Sequence, residues 1–354
     1  MVSGLVSMMT TVQDSTSEDS TETTTPVEVI HQTTGDSITS SSTLGAGFSF
    51  QLVAPILAVV AAVANGLVLY AMVASKQHKK HVLIFNQNVL EFVNCVFFAL
   101  GIPAELINIY LSGMGGYWLC LTLVSYAGAS ATFMGSLFNL AAVSIERYLK
   151  VVHHVWAKNK LRNWMIYSEL AFSWICGAVI TVGVVVPSIT VVNGVCYAGM
   201  LFLDQTARKI YIIWDFLSFY VIMLLIFIFC YGRILMAIRR QAKVMAAHSG
   251  KGSNTVQDQT NKIQTNIIKT MILVCVLFAI TWAPAQIYFL LITFNVFTMN
   301  DNNGLYTVLS VGYVYMCANP FIYATKFDPV RGVLMGLIPC KKSNMQAPES
   351  VIMQ

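Results

Sequence analysis

Apolar residues run through the chain in seven long blocks, each separated from the next by a shorter polar or basic connection. The blocks fall near residues 49–74, 83–108, 119–148, 164–187, 209–235, 266–293 and 304–325. A bilayer core of about 30 Å needs roughly 20 residues of helix, and every block reaches that length. The pattern predicts an all-α integral membrane protein, a seven-transmembrane helix bundle over 49–325. A polar tail at 1–48 precedes it. A short amphipathic eighth helix at 326–340 and a short tail at 341–354 follow.

Composition supports that reading. Of 354 residues 56% are hydrophobic and 10% charged, where a soluble domain carries about 25% charged residues. The formal charge of +5 is sorted by position. Residues 1–48 hold Asp14, Glu18, Asp19, Glu22, Glu28 and Asp36 and no Lys or Arg. Lys76, Lys79 and Lys80, then Lys158, Lys160 and Arg162, then Arg239, Arg240 and Lys243 lie in alternate connections, and Lys341 and Lys342 in the final tail. Arg208 and Lys209 fall opposite them. The positive-inside rule therefore places the N-terminus outside and the C-terminus in the cytoplasm, here of a multi-pass plasma membrane protein.

The first tail is rich in Ser and Thr and lacks Asn, a basic start and an apolar core. It reads as a disordered acidic tail or an O-glycosylated stalk rather than a cleavable signal peptide. Cys95, Cys176, Cys230, Cys275 and Cys317 lie within spans. Cys120 and Cys196 both fall at the outer face, where a disulfide can persist, and are expected to pair. Cys340 precedes Lys341 at the inner face and is either a palmitoylation site or a free thiol.

Chemistry concentrates at two places. Glu146, Arg147 and Tyr148 end the third block, and Asn319, Pro320, Phe321, Ile322 and Tyr323 end the seventh. Ionisable groups at a membrane edge are costly and usually mark function. A proline late in a spanning helix frees a backbone carbonyl, and Asn319 beside it can help satisfy such groups. The six histidines lie in tails and connections, which leaves no metal-ligand or nucleophile pair for a membrane enzyme. A transporter or channel remains the rival class, although no internal repeat is visible.

These motifs resemble those of rhodopsin-like (class A) G-protein-coupled receptors, over residues 49 to 340. Asn65, Trp174, Tyr231, Phe278, Trp282 and Pro284 match further family landmarks in the expected order. Around residues 145–159 and at Asn86, Gln87 and Asn88 the chain is most like invertebrate orphan receptors. The resemblance implies an extracellular ligand, a heterotrimeric G protein and arrestin as cytosolic partners, lipid around the spans, and no role for nucleic acid. Arg147 becomes a latch, held at rest by Glu146 and turned on activation towards Tyr231 and Tyr323. Gln264 stands where many members carry a second acidic clamp. Met223 stands where many carry a proline in the fifth helix, so that helix is expected to be straighter or to use another irregularity.

Two further expectations follow from the resemblance. Glu91 matches an aspartate that binds Na⁺ with polar groups matched here by Asn65, Ser136 and Asn319. Its extra methylene displaces the carboxylate, which sets Na⁺ against a proton-linked polar network. Tyr313 occupies the position of the retinal-binding lysine, so retinal is not expected. Ala129 occupies that of the amine receptors' aspartate, which disfavours a classical amine. The ligand, a peptide or small molecule, would then meet Glu105, Thr122, Tyr126, Trp214, Asp215, Gln286, Tyr288 and Tyr313.

Overall fold

The computed structural model describes residues 43–107, 109–185, 189–198, 205–248, 255–296 and 302–337. Most of the first tail, the final tail and Cys340 lie outside the described residues. So do the side chains of Glu105 and Gln264, although both sit within helices.

In chain order the long helices are α1 (Thr43–Ala74), α2 (Val82–Leu106), α4 (Ala127–Val152), α6 (Asn163–Val185), α8 (Ile222–His248), α9 (Thr255–Thr293) and α10 (Asn302–Lys326). Shorter ones are α3 (Gly113–Leu119), α5 (His154–Lys160), α7 (Gln205–Asp215) and α11 (Asp328–Leu337). Strands β1 (Ile189–Val192) and β2 (Val195–Ala198) form an antiparallel hairpin. Among the described residues six helices are long and apolar enough to cross a bilayer. The 25-residue α10 is the seventh span, its apolar character diluted by Asn302, Asn303 and Asn319.

The outside of this bundle is greasy. Ile56 is 62% exposed, Val179 63% and Ile228 69%, an arrangement that suits lipid and not water. The interior is a largely apolar core that also encloses polar side chains, with Asn65, Asn88, Asn139, Ser144 and Asn319 fully buried. α4 is the most buried span and α6 the least. α4 packs against α2, α6 and α8, while α1 closes the ring against α2 and α10. The α4–α6 contact depends on small residues, since a Cβ on Gly177 would collide with the Ala131 carbonyl.

The third span is not the continuous helix its apolar run predicts. α3 ends in a π turn at Cys120–Val124 and Tyr126 takes φ 57° before α4 begins. A left-handed tyrosine costs about 1–2 kcal/mol. Local bonds offset this: Ser125 Oγ donates to Leu121 O at 2.6 Å and Tyr126 N to Leu123 O at 3.0 Å. Gly101 on α2 gives the break room, because a Cβ there would sit 2.9 Å from Leu123 O. The fifth span has a second irregularity, a π turn at Phe216–Val221 between α7 and α8. It lies just before Met223, where no proline kinks the helix.

Cys120 and Cys196 form a disulfide with a Cα–Cα distance of 5.5 Å. It clips β2 to the π turn of the third span, and Leu111 N donating to Gly194 O at 2.8 Å clips the hairpin a second time. These contacts define one end of the bundle, the disulfide end. Arg147 marks the other.

Candidate functional site

Arg147 lies in the last turns of α4 and is only 2% exposed. A guanidinium cannot shed its charge, so burial demands partners. Its Nη2 lies 3.4 Å from Glu146 Oε2 and 3.3 Å from His81 Nδ1, while Nε has none. Lys150 Nζ holds the other Glu146 oxygen at 2.5 Å. His81 is therefore not the solvated loop residue its position suggests. It precedes α2, half-buried, with its ring edge-on to Phe327 at 5.6 Å. One imidazole thus touches the arginine motif and the turn into α11.

Burial, and then the neighbouring Arg147 charge, push the His81 imidazole down from its ordinary range to about 4. At neutral pH it is uncharged, and Nδ1 can accept from Arg147 only if Nε2 carries the proton. The neutral ring is favoured by the fold, so its stabilising contribution is complete above about pH 6.5 and is lost as pH falls towards 4. The purified protein is expected to lose on the order of 2 kcal/mol by pH 4.5 from this group. A His81→Phe variant should show a flatter melting profile over that range. Identical profiles for the two proteins would show that His81 does not carry this dependence.

Among the described residues, the other tyrosines expected at the arginine end have contacts of their own. Ser144 Oγ donates to Tyr231 Oη at 3.1 Å. Tyr323 Oη is buried without a partner. Tyr148 Oη pairs with His153 Nε2 at 3.0 Å, at the exposed edge. Further in, Trp282 lies over Phe133 with ring centroids 4.6 Å apart, its Nε1 buried and unpartnered. Phe278 sits among Tyr220, Phe227 and Tyr315 at 5.9–6.1 Å. Pro284 lies within the continuous α9, six residues beyond Phe278.

A polar relay fills the centre. Glu91 Oε1 accepts from Gln87 Nε2 at 3.0 Å, Ser136 Oγ at 2.9 Å and Asn319 Nδ2 at 3.1 Å. Asn319 is thus committed to Glu91, not to a carbonyl freed by Pro320. Asn65 does not join them: its Nδ2 donates to Ala61 O at 3.0 Å and lies 4.0 Å from Cys95 Sγ. Gln87, Asn86, Asn139 and Trp174 continue the relay across α2, α4 and α6. The role of the two amides Gln87 and Asn139 was not read from the sequence. A run of Asn86, Gln87 and Asn88 inside an apolar block was the available signal.

The expected ligand-contacting residues separate into groups at the disulfide end. Phe98 bridges Tyr126 (5.7 Å) and Tyr313 (5.1 Å) as one aromatic wall. Asp215, 5% exposed, takes a hydrogen bond from Gln286, and its Oδ1 is unpartnered. Two residues depart from expectation. Trp214 is 44% exposed and packs edge-on to the buried Phe219. Thr122 turns its hydroxyl back to Trp118 O at 2.7 Å, which spends its donor on its own helix. Tyr288 is half-buried beside Phe289.

A bundle of seven spans with this arginine motif, central relay and disulfide defines a membrane receptor. The family model of seven-transmembrane receptors (rhodopsin family) matches residues 64–323, and the chain belongs to that family, whose members are receptors and not enzymes. It is similar to galanin receptor type 1 of Rattus norvegicus, 23% identical over 61% of this chain and 60% of that receptor. Somatostatin receptor type 3 of Mus musculus is 26% identical over 78% of this chain and 65% of its own length. The chain thus matches about 60% of the length of the galanin receptors. Squid rhodopsin shares the fold, with a TM-score of 0.65 at 18% identity, over 82% of this chain and 84% of that one.

Proposed function

We propose that the protein is a plasma membrane receptor whose disulfide end faces outward and whose arginine end meets a heterotrimeric G protein. Binding of an extracellular ligand would be converted there into nucleotide exchange. The observation that carries this reading is Arg147, buried and held by Glu146 and His81 while Tyr231 and Tyr323 stand aside from it. Tyr231 and Tyr323 are the partners that Arg147 would take up on activation. The basic residues clustered at the same end support its cytosolic placement.

For the ligand we favour a peptide with a cationic group. Similarity to receptors for galanin and somatostatin supports the peptide, and the buried Asp215 with an unpartnered oxygen supports the cation. Tyr313 is packed edge-on to Phe98 where a retinal lysine would stand, and Ala129 is buried and uncharged. Arrestin docking at the arginine end is part of the same proposal.

The test is nucleotide exchange by purified G proteins on the full chain in lipid vesicles, screened with cationic peptides and neutral counterparts. Stimulation by a cationic peptide that is lost on Asp215→Asn is the expected result. Solute flux or current without any exchange would make the protein a transporter or channel instead.

A further inference from the structure

Several buried amides in this protein have their orientation dictated by neighbours that can bond in only one sense. Trp174 Nε1–H can only donate, and it points at Asn86 Oδ1 at 3.0 Å. The other arm of Asn86, Nδ2, then donates to Asn139 Oδ1 at 2.9 Å. That leaves Asn139 Nδ2 to donate to Leu83 O at 2.9 Å, a carbonyl that can only accept, and to Gln87 Oε1 at 2.8 Å. Gln87 must therefore turn its NH₂ towards Glu91. Reversing any one amide would set oxygen against oxygen or N–H against N–H at both of its ends.

The consequence falls on Glu91 Oε1. Gln87 Nε2 reaches it at 3.0 Å, Asn319 Nδ2 at 3.1 Å and Ser136 Oγ at 2.9 Å, and Gln87 Nε2 also lies 2.5 Å from Ser136 Oγ. These donors come from α2, α4 and α10, and all four side chains are at most 3% exposed. A Na⁺ ion needs lone pairs in its first shell. This oxygen instead meets three positive hydrogens, and Ser136, a residue expected to coordinate, spends its hydroxyl on the carboxylate. Asn65, the other expected helix-one group, bonds its own helix at Ala61 O. Two oxygens, Asn65 Oδ1 and Asn319 Oδ1, are buried without a partner. A cation drawn to them would still face the N–H groups of Gln87 and Asn319 around the only anion there.

We propose that Gln87 takes the cation's place: its amide N–H, locked by the relay from Trp174, occupies the Glu91 oxygen that Na⁺ would need, so that no Na⁺ binds. The inference rests on family membership for where Na⁺ would sit, and not on any ligand or G protein. Low dielectric makes each of these bonds stronger than it would be in water and an unpaired carboxylate costlier.

The test is the melting temperature of the full chain in lipid nanodiscs, with NaCl against choline chloride at equal ionic strength. The wild type should shift by less than about 1 °C between the two salts. Gln87→Ala, which removes the donor and opens space beside Glu91, should gain a saturable Na⁺-specific rise of roughly 3 °C or more. Should that variant not fold, Gln87→Ser gives the same comparison with a smaller polar side chain in place. A saturable Na⁺ stabilisation of the wild type that disappears in Glu91→Gln would overturn the proposal. So would folded Gln87 variants that remain indifferent to Na⁺. Neither measurement needs a ligand or a G protein, so its outcome stands apart from the signalling test.

Discussion

Arg147→Ala is expected to reduce ligand-driven nucleotide exchange on the order of 100-fold while leaving a folded protein at the membrane. Deleting one partner of a buried ion pair is usually costly because the other charge is stranded. Here Glu146 keeps Lys150 Nζ at 2.5 Å, so the carboxylate is not left alone. The His81 ring loses one donor but stays packed on Phe327. Removing the guanidinium should therefore damage signalling far more than folding. Arg147→Lys discriminates further. Both described contacts use the same Nη2 atom, so an ammonium could satisfy the resting pair, yet it lacks the planar fork for a second set of partners. It should fold like the wild type and still signal poorly. Wild-type exchange in either variant, at matched surface density, would remove Arg147 from the mechanism.

Breaking the disulfide should have the next largest effect. Cys120 and Cys196 are 76 residues apart in sequence, so the bond closes a loop that contains α4, α5, α6 and the hairpin. Losing a native crosslink of this kind costs about 2–5 kcal/mol where the fold depends on it. Among the described residues, the hairpin's other contacts include Leu111 N to Gly194 O and a small apolar cluster with Leu111, Leu121, Ala127 and Ile189. Cys120→Ser or Cys196→Ser is expected to lower the melting temperature by roughly 5 °C or more and to cut the folded fraction at the cell surface. The double variant should be no worse than either single one, since each breaks the same bond. Two strictly additive losses would mean that the thiols act separately.

Much of the architecture was legible because burial in lipid demands long apolar runs, and seven such runs leave a strong signature. The arginine motif was legible for a related reason: charge beside a membrane is rarely idle. The break at Tyr126 was not. Its surroundings, Leu123 to Ala129, continue the apolar run, and a left-handed tyrosine carries no compositional mark. The fifth span was partly legible, since Met223 in place of a proline predicted either a straight helix or another irregularity, and a π turn is present. His81 was misjudged because sequence position separates loop from core poorly at a helix end. Trp214 and Thr122 were placed by helix position; Trp214 is largely exposed and Thr122 folds its hydroxyl onto its own backbone. The amides of α2 and α4 were visible as residues but not as a relay, because their directions are set by Trp174 and Leu83, on which no local pattern reports.

The interruption at Ser125 and Tyr126 bears on how force could pass along the molecule. A single stiff rod delivers a twist applied at one end to the other end undiminished. Two rods meeting at a pivot do not, and the third span is two rods. A twist applied at the crosslinked cap meets a change of backbone course at Tyr126 before it reaches α4. Tyr126 also makes a lateral contact there, its ring beside Phe98 and Phe98 in turn beside Tyr313 of α10. The expected route is thus lateral, out of the third span and into the seventh, and from there down to Asn319 and the shared carboxylate of Glu91.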